Sequence, residues 1–164
     1  QGSFAVNIAL IEKMEPVLGV IFAPALDRMF HGFKGGGSVE KSPGREGSIR
    51  VRQLPESGSR AVTSRSHRNE ETNRWLEAHQ IRETVSIGSS LKFCLVACGE
   101  ADVYPRFGPT MEWDTAAGDA ILRAAGGLTT HPDGSVFRYG KAGFRNSSFI
   151  ASGQPDHWEP KASV

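Results

Sequence analysis

Apolar and polar positions alternate almost from the first residue. Phe4, Val6, Ile8 and Leu10 stand between Ala5, Asn7 and Ala9, a period-two pattern that predicts a strand over residues 4–12. Residues 17–23 read as its partner, with a turn around Lys13-Met14-Glu15-Pro16. Pro24 ends that run, Asp27-Arg28 suits a tight turn, and Met29 to Phe33 reads as a third strand before Gly35-Gly36-Gly37 breaks the pattern. A short strand near residues 48–51 completes an expected antiparallel meander. Beyond Leu54, a Pro-Glu-Ser-Gly-Ser stretch marks a boundary and the pattern changes. Short strands are expected at 61–64, 83–87, 101–104, 128–130 and 148–152. Between them fall a helix capped by Asn69 with Glu70 and Glu71 in its first turn, a helix over 89–98 and a helix over 115–125. The expected fold class is α/β (α+β overall), with residues 1–57 an antiparallel-sheet unit and 58–164 a layered α/β domain. The polar tail from Gln154 is expected to fray.

Two of these helices carry distinct instructions. Leu91, Cys94, Leu95 and Cys98 share one face, and Phe93, Val96 and Ala97 make the other side apolar, so this helix belongs between layers. The stretch Trp113 to Gly127 is rich in alanine, which permits close packing, and Gly126-Gly127 stops it. Asp114 at its mouth is expected as the N-cap. Whether it only caps or also holds a metal stays open at this level. One carboxylate does not make a Mg²⁺ site, and Glu112 completes no acidic cluster.

Composition narrows the classes. The 164 residues carry 19 basic and 18 acidic side chains, a net charge of +1. That balance gives no reason to expect polymeric nucleic acid or an acidic membrane. No apolar run reaches the ~18 residues of a membrane span, so no transmembrane segment is expected. Two cysteines, Cys94 and Cys98, lie four apart with no nearby His pair and read as small core residues in a reducing compartment.

The candidate chemistry sits at strand ends, where open α/β sheets gather ligands. In Ser86-Ile87-Gly88-Ser89-Ser90-Leu91-Lys92 a strand ends, a glycine allows a close turn and a helix begins, an arrangement suited to phosphate. Lys92 either meets a bound anion or lays its stem along the core with its head in water. Thr63-Ser64-Arg65-Ser66-His67 ends another strand, and its Arg65 and His67, with Arg68, could meet phosphate or a base. Arg106 in Tyr104-Pro105-Arg106-Phe107-Gly108-Pro109, read as a rigid loop, could pair with a phosphate or form a surface ion pair.

Taken together, Trp113-Asp114-Thr115-Ala116-Ala117-Gly118 with Ala125-Gly126-Gly127 resembles the second signature of the inositol monophosphatase superfamily. Phe4 to Ile11, Gly88 to Cys94 and Tyr104 to Thr110 resemble its bacterial 3′(2′),5′-bisphosphate nucleotidase branch. The resemblance implies a sugar-phosphatase fold and a Mg²⁺-dependent, lithium-sensitive phosphatase. Its implied reaction removes the 3′-phosphate of adenosine 3′,5′-bisphosphate, a by-product of sulfate assimilation, giving AMP and phosphate. It implies a small nucleotide bisphosphate as partner and a cytoplasmic location, with contact to the inner membrane left open. Residue by residue, Asp114 matches a metal ligand. Gly88, Ser89 and Lys92 match the sugar and phosphate side of the substrate, Ser64 and His67 a nucleotide-contacting loop, and Arg106 a nucleotide contact. The family's other metal ligands, an upstream Glu and Asp-Pro-(Ile/Leu)-Asp-Gly-Thr, are absent from this sequence, and Ser3 and Ala5 stand where relatives often have Glu and Thr. The expectation is therefore a C-terminal fragment, inactive alone and self-associating through its uncovered face. Competing readings are an inositol monophosphatase or fructose-bisphosphatase-like sugar phosphatase, and a non-catalytic nucleotide-binding module.

Overall fold

The computed structural model describes residues 4–64 and 68–158. β1 (Val6–Glu12) and β2 (Glu15–Ala23) form a hairpin. Its turn is only Lys13-Met14, both with positive φ of 50° and 65°, the backbone that matches the twist of paired strands. The turn is thus shorter than expected, and Glu15 and Pro16 belong to β2. Pro16 lies opposite Ile11, where the register shifts; such an irregularity suits a residue that has no N–H to give. A 3₁₀ turn, Pro24–Leu26, leads to β3 (Arg28–Phe33), β4 (Gly37–Ser42) and β5 (Arg45–Ile49). The five strands make one antiparallel sheet in sequential order. β4 has no counterpart in the hydrophobic pattern, because Val39 is its sole large apolar residue. Polar contacts hold its inward positions: Ser38 Oγ donates to the Ile121 carbonyl at 2.7 Å, and Arg28 Nε donates to Glu40 at 2.7 Å.

The second sheet begins with β6 (Arg60–Thr63), α1 (Glu70–Ala78), β7 (Glu83–Ser86), α2 (Leu91–Ala97) and β8 (Val103–Arg106). There follow β9 (Thr110–Met111), α3 (Glu112–Ala124), β10 (Leu128–Thr130), β11 (Arg145–Asn146) and β12 (Phe149–Ser152). The spatial order is β10-β12-β8-β6-β7, while β9 and β11 pair separately. β6 runs parallel to β7 and β8, and β12 antiparallel to β8 and β10. The strand expected at 101–104 lies two residues later, so that Pro105 and Arg106, expected in a loop, belong to β8, with Pro105 opposite Ile150. At the far end, Pro155–Trp158 is a 3₁₀ turn with Trp158 buried, so the expected fraying does not begin at Gln154.

α2 and α3 lie between the two sheets, and α1 covers the outer face of the second. Strand alternation explains the layering. Val62, Tyr104 and Ala151 join Phe93 and Ile121 in the inner core, while Ala61, Val103 and Ile150 pack with Leu76 and Trp158 on the other side. Residues from both sides of position 57 share the inner core, since Ile21 and Phe30 of the first sheet belong to it. The fit is close. A Cβ on Gly19 of β2 would stand 2.2 Å from the Ala117 carbonyl, and one on Gly118 would stand 2.6 Å from the Phe93 ring. Asp102, almost wholly buried, joins the connection after β5 to the second sheet. It accepts from Arg52 Nε and Nη2, both at 2.8 Å, and from the Arg60 N–H at 2.7 Å.

The face of the first sheet turned away from α3 is apolar and open: Val6, Ile8, Leu10, Leu18 and Phe33 are exposed. Among the described residues no helix is long and apolar enough to cross a membrane. The tight seam predicts that Gly19→Ala lowers unfolding free energy by about 2 kcal/mol through overpacking. Gly47→Ala, where a Cβ meets nothing within 4 Å, should change it by less than about 0.5 kcal/mol. Denaturant titration of both variants checks the contrast.

Candidate active site

The carboxyl ends of the parallel strands β6, β7 and β8 open into one cavity of about 530 Å³. Ser64 follows β6, Gly88, Ser89 and Ser90 follow β7, and Arg106 ends β8. α2 contributes Lys92, and α3 closes the cavity with Asp114 and Thr115. Six residues singled out in the sequence, Ser64, Gly88, Ser89, Lys92, Arg106 and Asp114, thus line one space. His67 and its neighbours Arg65 and Ser66 lie outside the described residues.

Asp114 is not the N-cap. Met111 holds that position, and Asp114 is the third residue of α3. Its Oδ2 accepts the Met111 N–H at 3.0 Å, satisfying a donor of the first turn from inside the helix. No donor among the described residues reaches Oδ1. The helix starts early because Glu112 is tied from outside: its carboxylate accepts the N–H groups of Gly140 and Lys141, each at 2.9 Å. A further clamp brackets the turn. Asn146 Nδ2 donates to Thr110 Oγ1 at 3.1 Å and to Thr115 Oγ1 at 3.0 Å.

α2 also departs from expectation, starting at Leu91 and ending at Ala97. Ser89 adopts a left-handed backbone, φ 60°, so the chain turns before the helix begins. That turn presents the Ser89 carbonyl to Lys92 Nζ at 2.6 Å. Lys92 is 7% exposed, and its ammonium lies 5.3 Å from the centre of the Tyr104 ring. Its head therefore ends at the cavity wall, and the alternative of a head in open water does not hold. Burial pushes its pKa down to about 8; the Arg106 cation adds to this and Asp114 opposes it. Arg106 is half-buried, and its Nη2 donates to the Pro109 carbonyl at 3.4 Å.

The hydrophobic pattern gave no warning of Thr110, Thr115 and Tyr104 as lining residues. Asn7 is a polar residue between Val6 and Ile8 of β1. It accepts a hydrogen bond from Ser90 Oγ and so joins the first sheet to the cavity wall. The cysteines take no part. Cys94 is buried, and burial pushes the Cys98 thiol up to about 12, which disfavours a thiolate. Glu40, Cys98 and Glu100 approach one another as metal ligands do. Arg28 already supplies the cation there, with Nη2 at 2.6 Å from Glu100 and Nε on Glu40.

Comparison with known proteins places this geometry. The inositol monophosphatase family profile matches residues 1–162, and the chain belongs to that family. It is similar to the 3′(2′),5′-bisphosphate nucleotidase CysQ of Salmonella typhimurium, 48% identical over 138 residues, covering 84% of this chain and 55% of that protein. The Escherichia coli K12 protein of the same name is 43% identical over 152 residues, covering 92% and 61%. Among solved structures, CysQ from Bacteroides thetaiotaomicron superposes with a TM-score of 0.83 at 38% identity, over 92% of this chain and 63% of that one. The chain thus spans less than two thirds of the length of these relatives.

The Lys92 environment carries its own prediction. Its ammonium should titrate near pH 8 by side-chain NMR, and an anion bound in the cavity should move the midpoint up. The charged form is disfavoured in the folded state, so the resulting loss of stability is full below about pH 8. It is relieved as pH rises toward the ordinary value of 10.5. A midpoint at or above 10.5 would contradict the burial described here.

Proposed function

We propose that this cavity is the nucleotide-facing part of a Mg²⁺-dependent phosphatase site that removes the 3′-phosphate of adenosine 3′,5′-bisphosphate. The observation that carries the reading is the convergence of Lys92, Arg106 and Asp114 on one space. Two cations suit a substrate with two phosphates, and a carboxylate beside them suits a divalent ion between enzyme and phosphate. Similarity to proteins named as bisphosphate nucleotidases supports the same choice.

Asp114 fits one position of a Mg²⁺ site, since Oδ2 is engaged by the backbone and Oδ1 is not. Mg²⁺ is bound through one or two carboxylates together with phosphate oxygens and water. Asp114 is the one carboxylate among the described lining residues, so further ligands have to come from outside that set. When bound, the ion supplies charge neutralisation at phosphorus and an activated water. The chain's own residues do the positioning. Lys92 and Arg106 hold phosphate oxygens, Ser89 offers a hydroxyl to the sugar side, Ser64 meets the nucleotide, and the capped first turn of α3 fixes the direction of Asp114.

The test joins these 164 residues to an upstream segment that supplies the Glu and Asp-Pro-(Ile/Leu)-Asp-Gly-Thr carboxylates. Phosphate release from adenosine 3′,5′-bisphosphate is expected with Mg²⁺ and not after chelation. Asp114→Asn keeps an acceptor for the Met111 N–H, yet should lower kcat/KM about 10³-fold, about 4 kcal/mol. Full activity in that variant would remove the metal role, and preference for an inositol monophosphate would reject the substrate.

A further inference from the structure

A second cavity, of about 540 Å³, opens at the other end of α3, lined on one side by Ala120, Arg123 and Ala124. Asp114 and Arg123 are nine positions apart on this helix, about 14 Å along its axis. The cavity has an apolar floor, Ala120, Ala124 and Leu128, beneath a charged rim that includes Lys34, Arg50 and Arg123.

The rim has more positive charge than its carboxylates offset. Glu15 accepts from Lys34 at 2.8 Å and Arg138 at 3.3 Å. Arg123 shares its Nε with the buried Asp119 at 3.0 Å and gives Nη2 to the Phe137 carbonyl at 2.6 Å. Arg123 Nη1 and the whole exposed guanidinium of Arg50 have no partner among the described residues. A helix C-terminus ordinarily repels an anion, but three carbonyls of the last turn of α3, and that of the C-cap Ala125, are already engaged. Ile121 accepts from Ser38 Oγ, Leu122 from the Gly127 N–H, Arg123 from the Gly126 N–H and Ala125 from the Val51 N–H.

Surplus guanidinium donors above an apolar floor match a ligand with a charged head and a flat body. We infer that this cavity binds a small organic anion, a phosphate, phosphonate or carboxylate head on an apolar ring, separately from the site around Asp114. Arg50 and Arg123 hold the head, and the alanines and Leu128 meet the ring.

Phenylphosphonate, which carries no hydrolysable ester, is the probe, read by calorimetry and amide NMR on this chain. Shifts should centre on Gly35, Gly127 and Leu128. Arg50→Glu, a change at an exposed side chain without partners among the described residues, should weaken binding about tenfold or more, and Arg106→Ala should leave it within about twofold. Three results would overturn the inference: no binding at millimolar probe, equal binding of inorganic phosphate, or loss in Arg106→Ala but not in Arg50→Glu. The last would put the probe in the first cavity. None of these results bears on Mg²⁺-dependent phosphate release, so the two readings fail separately.

Discussion

The backbone-to-backbone approach of α3 to the first sheet is the constraint on which the rest depends. Gly19 lets β2 come against the Ala117 carbonyl, and Gly118 lets the opposite side of the same helix take the Phe93 ring. A helix gripped this tightly has little freedom to slide, because close-packed interiors transmit displacement instead of absorbing it. Both cavities have α3 as a wall, one at its first turn and one at its last. The sheet, α2 and the two cavities are therefore placed by a single seam of small residues.

Much of this was legible in the chain. Period-two alternation set β1, β2 and β3, and the Asn69 cap with its acidic first turn set α1, where the Asn69 side chain accepts the Thr72 N–H at 2.9 Å. The less legible parts were decided by partners far away in sequence. β4 is a strand because Ser38 and Glu40 find Ile121 and Arg28. The start of α3 is fixed by the hold of Gly140 and Lys141 on Glu112, which overrides the local preference of Asp114 for the cap. An acidic residue suits the third helical position almost as well as the cap, so the local signal alone did not decide between them.

The candidate site was more legible than the element boundaries. Strand ends gather ligands whatever the exact residue at which a strand stops. A shift of one or two positions in β6, β7 and β8 left Ser64, Gly88, Ser89 and Arg106 around the same space. The chemistry of Lys92 was another matter. Its position could be read from the sequence, but its lowered basicity comes from burial and from Arg106, which only the packed structure brings near. The other limit is length, since the family's relatives extend well beyond the part of their length that this chain spans.

Asn146 joins Thr110 and Thr115 across the turn that carries Asp114. A ribosome delivers that turn well before it delivers Asn146, Gly140 and Lys141. The helix and its aspartate therefore emerge before the residues that aim them. Until Asn146, Gly140 and Lys141 dock, the carboxylate is held within its own turn by the Met111 N–H, but that turn is not yet tied to the rest of the fold. The aim of that carboxylate is thus set by residues far downstream of it, and a substitution at Asn146 would act on the same turn as a substitution beside Asp114.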